Sequence, residues 1–167
     1  MSVIARFFLW ITVAAWGFWL GGLIYEMVVI MPLWSANLPS SVIEWNSRPN
    51  FIVNPTRFYL PTVITLILSS LLATILNWKS SNQKKWLILS TLCAVSAFVF
   101  TIIYFFPKND ILFRNQNIGL SGAEISTIAY DWILGNWIRI AIMFVGFFGA
   151  LKAFSQTSSQ QKSLETQ

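Results

Sequence analysis

Two ionisable side chains stand inside apolar stretches of this sequence, Glu26 and Arg139, and Asn136 precedes the arginine by one helical turn. If these stretches are helices in a bilayer, a charge there is costly unless it faces protein or water and is paired, so it marks a functional site by default. Residues three apart share a helix face, which sets the Asn136 amide above the Arg139 guanidinium, with Met143 continuing the same face. The chemistry open to such a set is specific. A carboxylate can take a proton from an acidic C–H or a phenol, while a guanidinium and an amide stabilise the oxygen anion that forms. The expected catalytic residues are therefore Glu26, Asn136 and Arg139, with Tyr104 and Met143 as walls of a small, mostly apolar cavity suited to a flat lipophilic ligand. The competing reading makes Glu26 and Arg139 an ion pair that only fixes helix register.

The elements that must position these residues follow from composition. The chain has 167 residues, is 56% hydrophobic and 10% charged, and holds fourteen Phe and nine Trp, which is far from a soluble domain. Four apolar runs, Phe7 to Met31, Phe58 to Leu76, Trp86 to Phe106 and Trp132 to Phe154, each approach the ~20 residues that span a bilayer as helix. Barrel strands would be about half that length and alternate in polarity. The expected fold is all-α, a four-transmembrane-helix bundle with two long extracytoplasmic loops carrying short helices. One membrane domain covers 1–154, and a polar, disordered cytoplasmic tail covers 155–167. The first run is too long for a signal peptide and lacks a small-x-small cleavage site, so it reads as a span. Counting from the helix ends, Glu26 and Arg139 fall roughly 8 to 10 Å below the outer surface, at matching depth.

Cys93 is the one cysteine, so no intrachain disulfide forms, and there is no histidine. That removes histidine-ligated haem, facial-triad iron and the common zinc sites, and the usual general base near neutral pH. No phosphate loop, nucleophile triad or metal cluster is present either, so no cofactor is expected. The net +5 charge is spread over short loops, which points to topology rather than nucleic acid. Arg6, Lys79, Lys84, Lys85, Lys152 and Lys162 collect on the inner face if both termini are cytoplasmic, the arrangement the positive-inside bias favours in a cytoplasmic membrane. The expected partners are the lipid bilayer and a lipophilic small molecule.

Along the chain, Gly17 and Gly21 have small-xxx-small spacing, which predicts close approach of a neighbouring helix. Pro32 marks the exit of the first span and Pro107 that of the third. Ser41 and Glu44, and again Ser121 and Glu124, have capping-box spacing and predict helix starts in the two outer loops. Asn54, with Pro55 behind it, reads as the cap of the second span. Ser69 and Ala73 form a small-residue edge, and Ser90, Ala94, Ala97, Thr101 and Tyr104 form a small and polar stripe that should face protein or a cavity. Both halves run apolar helix, Pro, Ser-x-x-Glu, Asn-x-x-Arg, apolar helix, the pattern of a duplicated helix pair.

A Gly-rich first helix ending near a proline, Pro107-x-Asn109-Asp110 after the third helix, and Trp132 followed by Asn136-x-x-Arg139 in the fourth together resemble the anthrone-oxygenase-like family of small four-helix membrane proteins. The resemblance spans most of the chain. It implies a four-helix membrane fold and, for the characterised branch, cofactor-free oxidation of anthrones to anthraquinones, and it adds Asn109 and Trp132 to the expected substrate-binding residues. Many members carry His where this chain has Asn136, so base catalysis from that position does not transfer. The expected function is a cofactor-independent oxygenase acting on a lipophilic aromatic. The alternatives are a small-solute binding or transport subunit and a structural accessory protein of a membrane complex.

Overall fold

The computed structural model describes residues 2–47, 55–114 and 119–165, with side chains to 156. The described residues form α1 (Val3–Tyr25), a π-helical turn (Glu26–Ile30), α2 (Met31–Ser35), α3 (Ser40–Ser47), α4 (Thr56–Leu76) and α5 (Ser81–Phe100). A second π turn (Thr101–Phe105), α6 (Phe106–Phe113) and α7 (Gly122–Glu165) complete them. Four continuous helical stretches are long and apolar enough to cross a membrane: Val3–Ser35, Thr56–Leu76, Ser81–Phe113 and Gly122–Gln156. The protein is a multi-pass all-α membrane protein. Exposed Phe, Leu, Ile and Val along all four stretches are lipid-facing surface, since apolar side chains in hydrocarbon carry no burial penalty.

The chain divides into two units, the first built from Met1–Leu20, Pro55–Ala97 and Ile142–Gln167. Its core gathers Leu9, Ala73, Leu87 and Ala153, flanked by Phe8, Trp86 and Phe154. Without a hydrophobic drive between helices, association rests on close packing and hydrogen bonds, and both are present. Thr12 Oγ1 donates to Ser69 Oγ at 3.1 Å, Trp16 Nε1 to Ser90 Oγ at 2.8 Å, and the hydroxyls of Thr74 and Thr91 lie 3.3 Å apart. The Ser69–Ala73 edge and the Ser90, Ala94 and Ala97 part of the α5 stripe are buried here, as their spacing predicts. Gly146 leaves room for the Trp16 ring and the Cys93 side chain, and Gly149 for the Trp86 carbonyl, 3.0 Å from where a Cβ would sit.

Gly17 and Gly21 behave otherwise. Nothing lies within 4 Å of a Cβ at either position, so the close approach their spacing predicts is made by glycines of α7 instead. The spacing marks a face that permits contact but does not select the partner.

The second unit comprises Gly21–Asn54 and Phe98–Ala141 and holds both π turns. Neither proline ends its helix. Each π turn closes with a bond from the sixth residue to the first, Met31 N–H to Glu26 C=O and Phe106 N–H to Thr101 C=O. Pro32 and Pro107 follow at once, each near the start of the next helix. A proline inside an α-helix orphans a carbonyl and clashes with the turn before it; a wider turn just upstream relieves the clash, and the helix goes on. Among the described residues, the chain beyond each proline is helical over Met31–Ser35, Ser40–Ser47 and Phe106–Phe113. Here α3 packs on α6, with Asn46 Nδ2 donating to the Leu112 carbonyl at 2.6 Å.

At the start of α7 the capping box forms as its spacing predicts. The Ser121 N–H and hydroxyl donate to Glu124 Oε2 at 2.8 and 2.7 Å, and the Glu124 N–H returns to Ser121 Oγ at 3.3 Å. In the first half the Ser41 hydroxyl instead donates to the Trp34 carbonyl at 2.8 Å and accepts the Asn37 N–H. Pro55 occupies the N-cap of α4, and Asn54, expected there, lies outside the described residues. At the other end, α7 continues to Glu165, beyond Phe154 where the sequence turns polar.

Candidate functional site

The site is built on the outer half of α7, whose side chains at 125, 129, 132, 136 and 139 are all buried. Spacings alternating between four and three keep one stripe inward along a helix. Within it Asn136 is 0% and Arg139 6% exposed.

Arg139 is fixed from several directions. Its Nε donates to Asn136 Oδ1 at 3.1 Å, and its Nη2 donates to the same oxygen. Its Nη1 donates to Thr101 Oγ1 at 3.1 Å, and its Cζ lies 4.0 Å from the centre of the Phe105 ring. A guanidinium over an aromatic face gains about 0.5 to 2 kcal/mol as its surroundings dry out. Thr101 and Phe105 are the first and last residues of the second π turn, so that turn is what presents a hydroxyl and a ring to the same cation.

Asn136 spends its oxygen on Arg139, and its Nδ2 is buried without a hydrogen-bond partner. An unmet buried donor costs about 1 to 3 kcal/mol. The amide cannot escape by flipping, because that would turn NH2 toward the guanidinium donors.

Next to this cluster Trp132 forms the hub of an aromatic group. Its ring meets Trp34 edge to face at 5.2 Å, Phe105 at 5.5 Å and Phe113 at 6.0 Å between centroids. Its Nε1 donates to Asn109 Oδ1 at 2.7 Å. Tyr104 lies on the neighbouring row of the same helical stretch and its ring packs against Gly135, where a Cβ would collide with it. Its hydroxyl donates to the Asp131 carbonyl at 2.8 Å. Lys108 completes that corner, with Nζ 4.1 Å from the Tyr104 ring centre and 3.9 Å from the Asp131 carboxylate.

Of the residues expected from the sequence, Asn136 and Arg139 are joined directly, and Asn109 is joined to Trp132 beside them. Tyr104 is bound to the backbone of α7. Glu26 opens the first π turn within the same unit, its side chain half-buried. Met143 is fully buried and belongs to the first unit. Sequence reasoning did not single out Thr101 or Phe105 as partners of the arginine. Thr101 had a signal, as a hydroxyl within the polar stripe, whereas Phe105 is one of fourteen phenylalanines with nothing to distinguish it. Among the described residues no group of three or more His, Cys, Asp or Glu is placed to hold a metal.

The arrangement can stabilise negative charge on oxygen in a dry, aromatic setting, where fixed donors act far more strongly than in water. The protein-family comparison bears on this: the family described as anthrone oxygenase matches residues 52–149, a range that includes Asn109, Trp132, Asn136 and Arg139. No curated protein and no solved structure matches the chain.

Proposed function

We propose, since the chain belongs to the anthrone oxygenase family, that it is a cofactor-independent oxygenase of the cytoplasmic membrane acting on an anthrone-like lipophilic aromatic. The single observation that carries this reading is the buried Asn136–Arg139–Thr101 cluster over the Phe105 ring. In this scheme the Glu26 carboxylate meets the cluster and takes a proton from the substrate's methylene. The electron pair spreads onto the carbonyl oxygen as an enolate, which the Asn136 amide, held by the Arg139 cation, stabilises. Molecular oxygen, the oxidant, adds at the carbon, forming a C–O bond and a peroxide that recovers the proton. Loss of water from this hydroperoxide leaves a ketone, so one methylene and one O2 give one carbonyl and one water. Both termini lie in the cytoplasm, so the site sits under the outer loops.

Purified protein in detergent, supplied with anthrone, should consume one O2 per anthraquinone formed, faster than the spontaneous reaction. A rate equal to that of empty micelles contradicts the reading.

A second reading, a solute-binding or transport subunit, draws support from the paired π turns. Interrupted helices at corresponding positions of two halves are a pointer to a binding site in transporters. Proton-coupled solute movement abolished by Glu26→Gln, with no product formed, would favour it over the oxygenase.

A further inference from the structure

The Asn136 carboxamide is asymmetric in its use. Its oxygen is committed twice to Arg139, while its Nδ2, fully buried, has no partner. Arg139 is also committed to Thr101 and lies against the Phe105 face. A planar amide points its NH2 away from whatever its oxygen faces, so Nδ2 is directed away from the guanidinium. A cation bound at the amide oxygen also draws electron density from the nitrogen and strengthens its N–H as a donor.

We propose that Asn136 Nδ2 is the group that contacts the substrate's oxygen, and that Arg139 is a positioning residue acting through it. The ligand class follows. The site selects flat aromatics that bear a ketone, enol or phenol oxygen over hydrocarbons of the same shape, because only an oxygen acceptor satisfies a donor that is otherwise buried unmet. Thr101 and Phe105 hold Arg139, Arg139 holds and polarises the amide, and the amide reads the oxygen. The substrate class rests on the oxygenase reading; the donor and its selectivity rest on the amide geometry.

The test needs no turnover. Anthraquinone and anthracene share a tricyclic shape and differ in their oxygens, and binding of each to the full-length protein in detergent is followed by quenching of tryptophan fluorescence. Wild type is expected to bind anthraquinone on the order of tenfold more tightly than anthracene, the value of one well-placed buried hydrogen bond. The carbonyl stretch of the bound quinone should fall to lower wavenumber. Asn136→Asp keeps an oxygen for Arg139 and removes the donor, so it should fold, lose the preference and restore the free carbonyl frequency. Thr101→Val removes the hydroxyl that accepts from Arg139 Nη1 and should weaken the preference without abolishing it. Equal binding of the two ligands by wild type overturns the inference without reference to any variant, and so does a preference that survives in Asn136→Asp. Oxygen uptake is scored separately. Preference without uptake counts against the oxygenase and supports this inference, and uptake without preference does the reverse.

Discussion

Arg139 and Arg57 are the same residue type in different settings, and their comparison isolates what burial does. Arg57 is exposed near the start of α4, whereas Arg139 is buried and bonded to Asn136 and Thr101. Truncating Arg139 to Ala should cost at least about 2 kcal/mol, since hydrogen bonds to charged groups are each worth ~1.5 to 3. Arg57→Ala should stay within about 0.5 kcal/mol, as exposed substitutions do. Thermal unfolding in detergent decides this, and equal tolerance of both removes the basis for an intramembrane site. A Cβ at Gly135 would strike the Tyr104 ring, with Cδ1 and Cζ each 3.0 Å away. Gly135→Ala should therefore break the Tyr104–Asp131 bond and cost about 1 to 3 kcal/mol. Adding Tyr104→Leu should return most of that loss, and a double variant no more stable than Gly135→Ala would place the strain elsewhere. The Arg139–Asn136 relation was legible in the sequence because a charge and an amide at helical spacing in an apolar run have few explanations. The unpaired Nδ2 was not, because it depends on which atom of the amide the arginine takes.

At the scale of elements, the two π turns decide which side chains reach the site. In an α-helix, positions four apart drift by about 40° per step, so Thr101, Phe105 and Asn109 would spiral away from α7. One wider turn cancels part of that drift, and all three stay opposite the Trp132–Arg139 stripe. Deleting Ile103, 71% exposed within the second π turn, should convert it to α-helix and rotate Asn109 away from Trp132. Ile103→Ala keeps the residue count and should behave like wild type. A deletion variant with wild-type unfolding temperature and tryptophan emission would show that the wide turn is dispensable. The sequence predicted helices at both places but stopped them at Pro32 and Pro107. Proline is a sound stop signal for α-helix, and Glu26 to Ile30 contains nothing that announces a change of helical register. Only the closing bonds, Met31 to Glu26 and Phe106 to Thr101, reveal it.

For the whole molecule, apolar composition made four membrane-crossing helices readable, because backbone groups in lipid must pair within their own segment and length then sets the span. Partner choice between helices was less readable. Small residues at Gly17 and Gly21 matched the rule for close contact, yet contact is made at Gly135, Gly146 and Gly149, whose neighbours come from distant stretches of the sequence. The proposed orientation is open to direct test. In a Cys93→Ser background, Ser80→Cys lies in the turn between α4 and α5 and Leu120→Cys lies just before α7. Intact cells should admit an impermeant maleimide to position 120 and exclude it from position 80. The reverse labelling would invert the molecule and put the site under the cytoplasmic face.

Whether the Asn136–Arg139 cluster carries out chemistry is decided by anthrone-dependent oxygen consumption of wild type, Arg139→Gln and Glu26→Gln, each confirmed folded by thermal unfolding. Wild type should exceed the spontaneous rate, and both variants should fall to it, about 10²-fold or more in the enzyme-dependent part, since one loses the base and the other the cation that holds and polarises the Asn136 donor. Folded variants that consume oxygen as fast as wild type would contradict the account, and would leave Glu26 and Arg139 as structural groups of a membrane protein whose chemistry lies elsewhere.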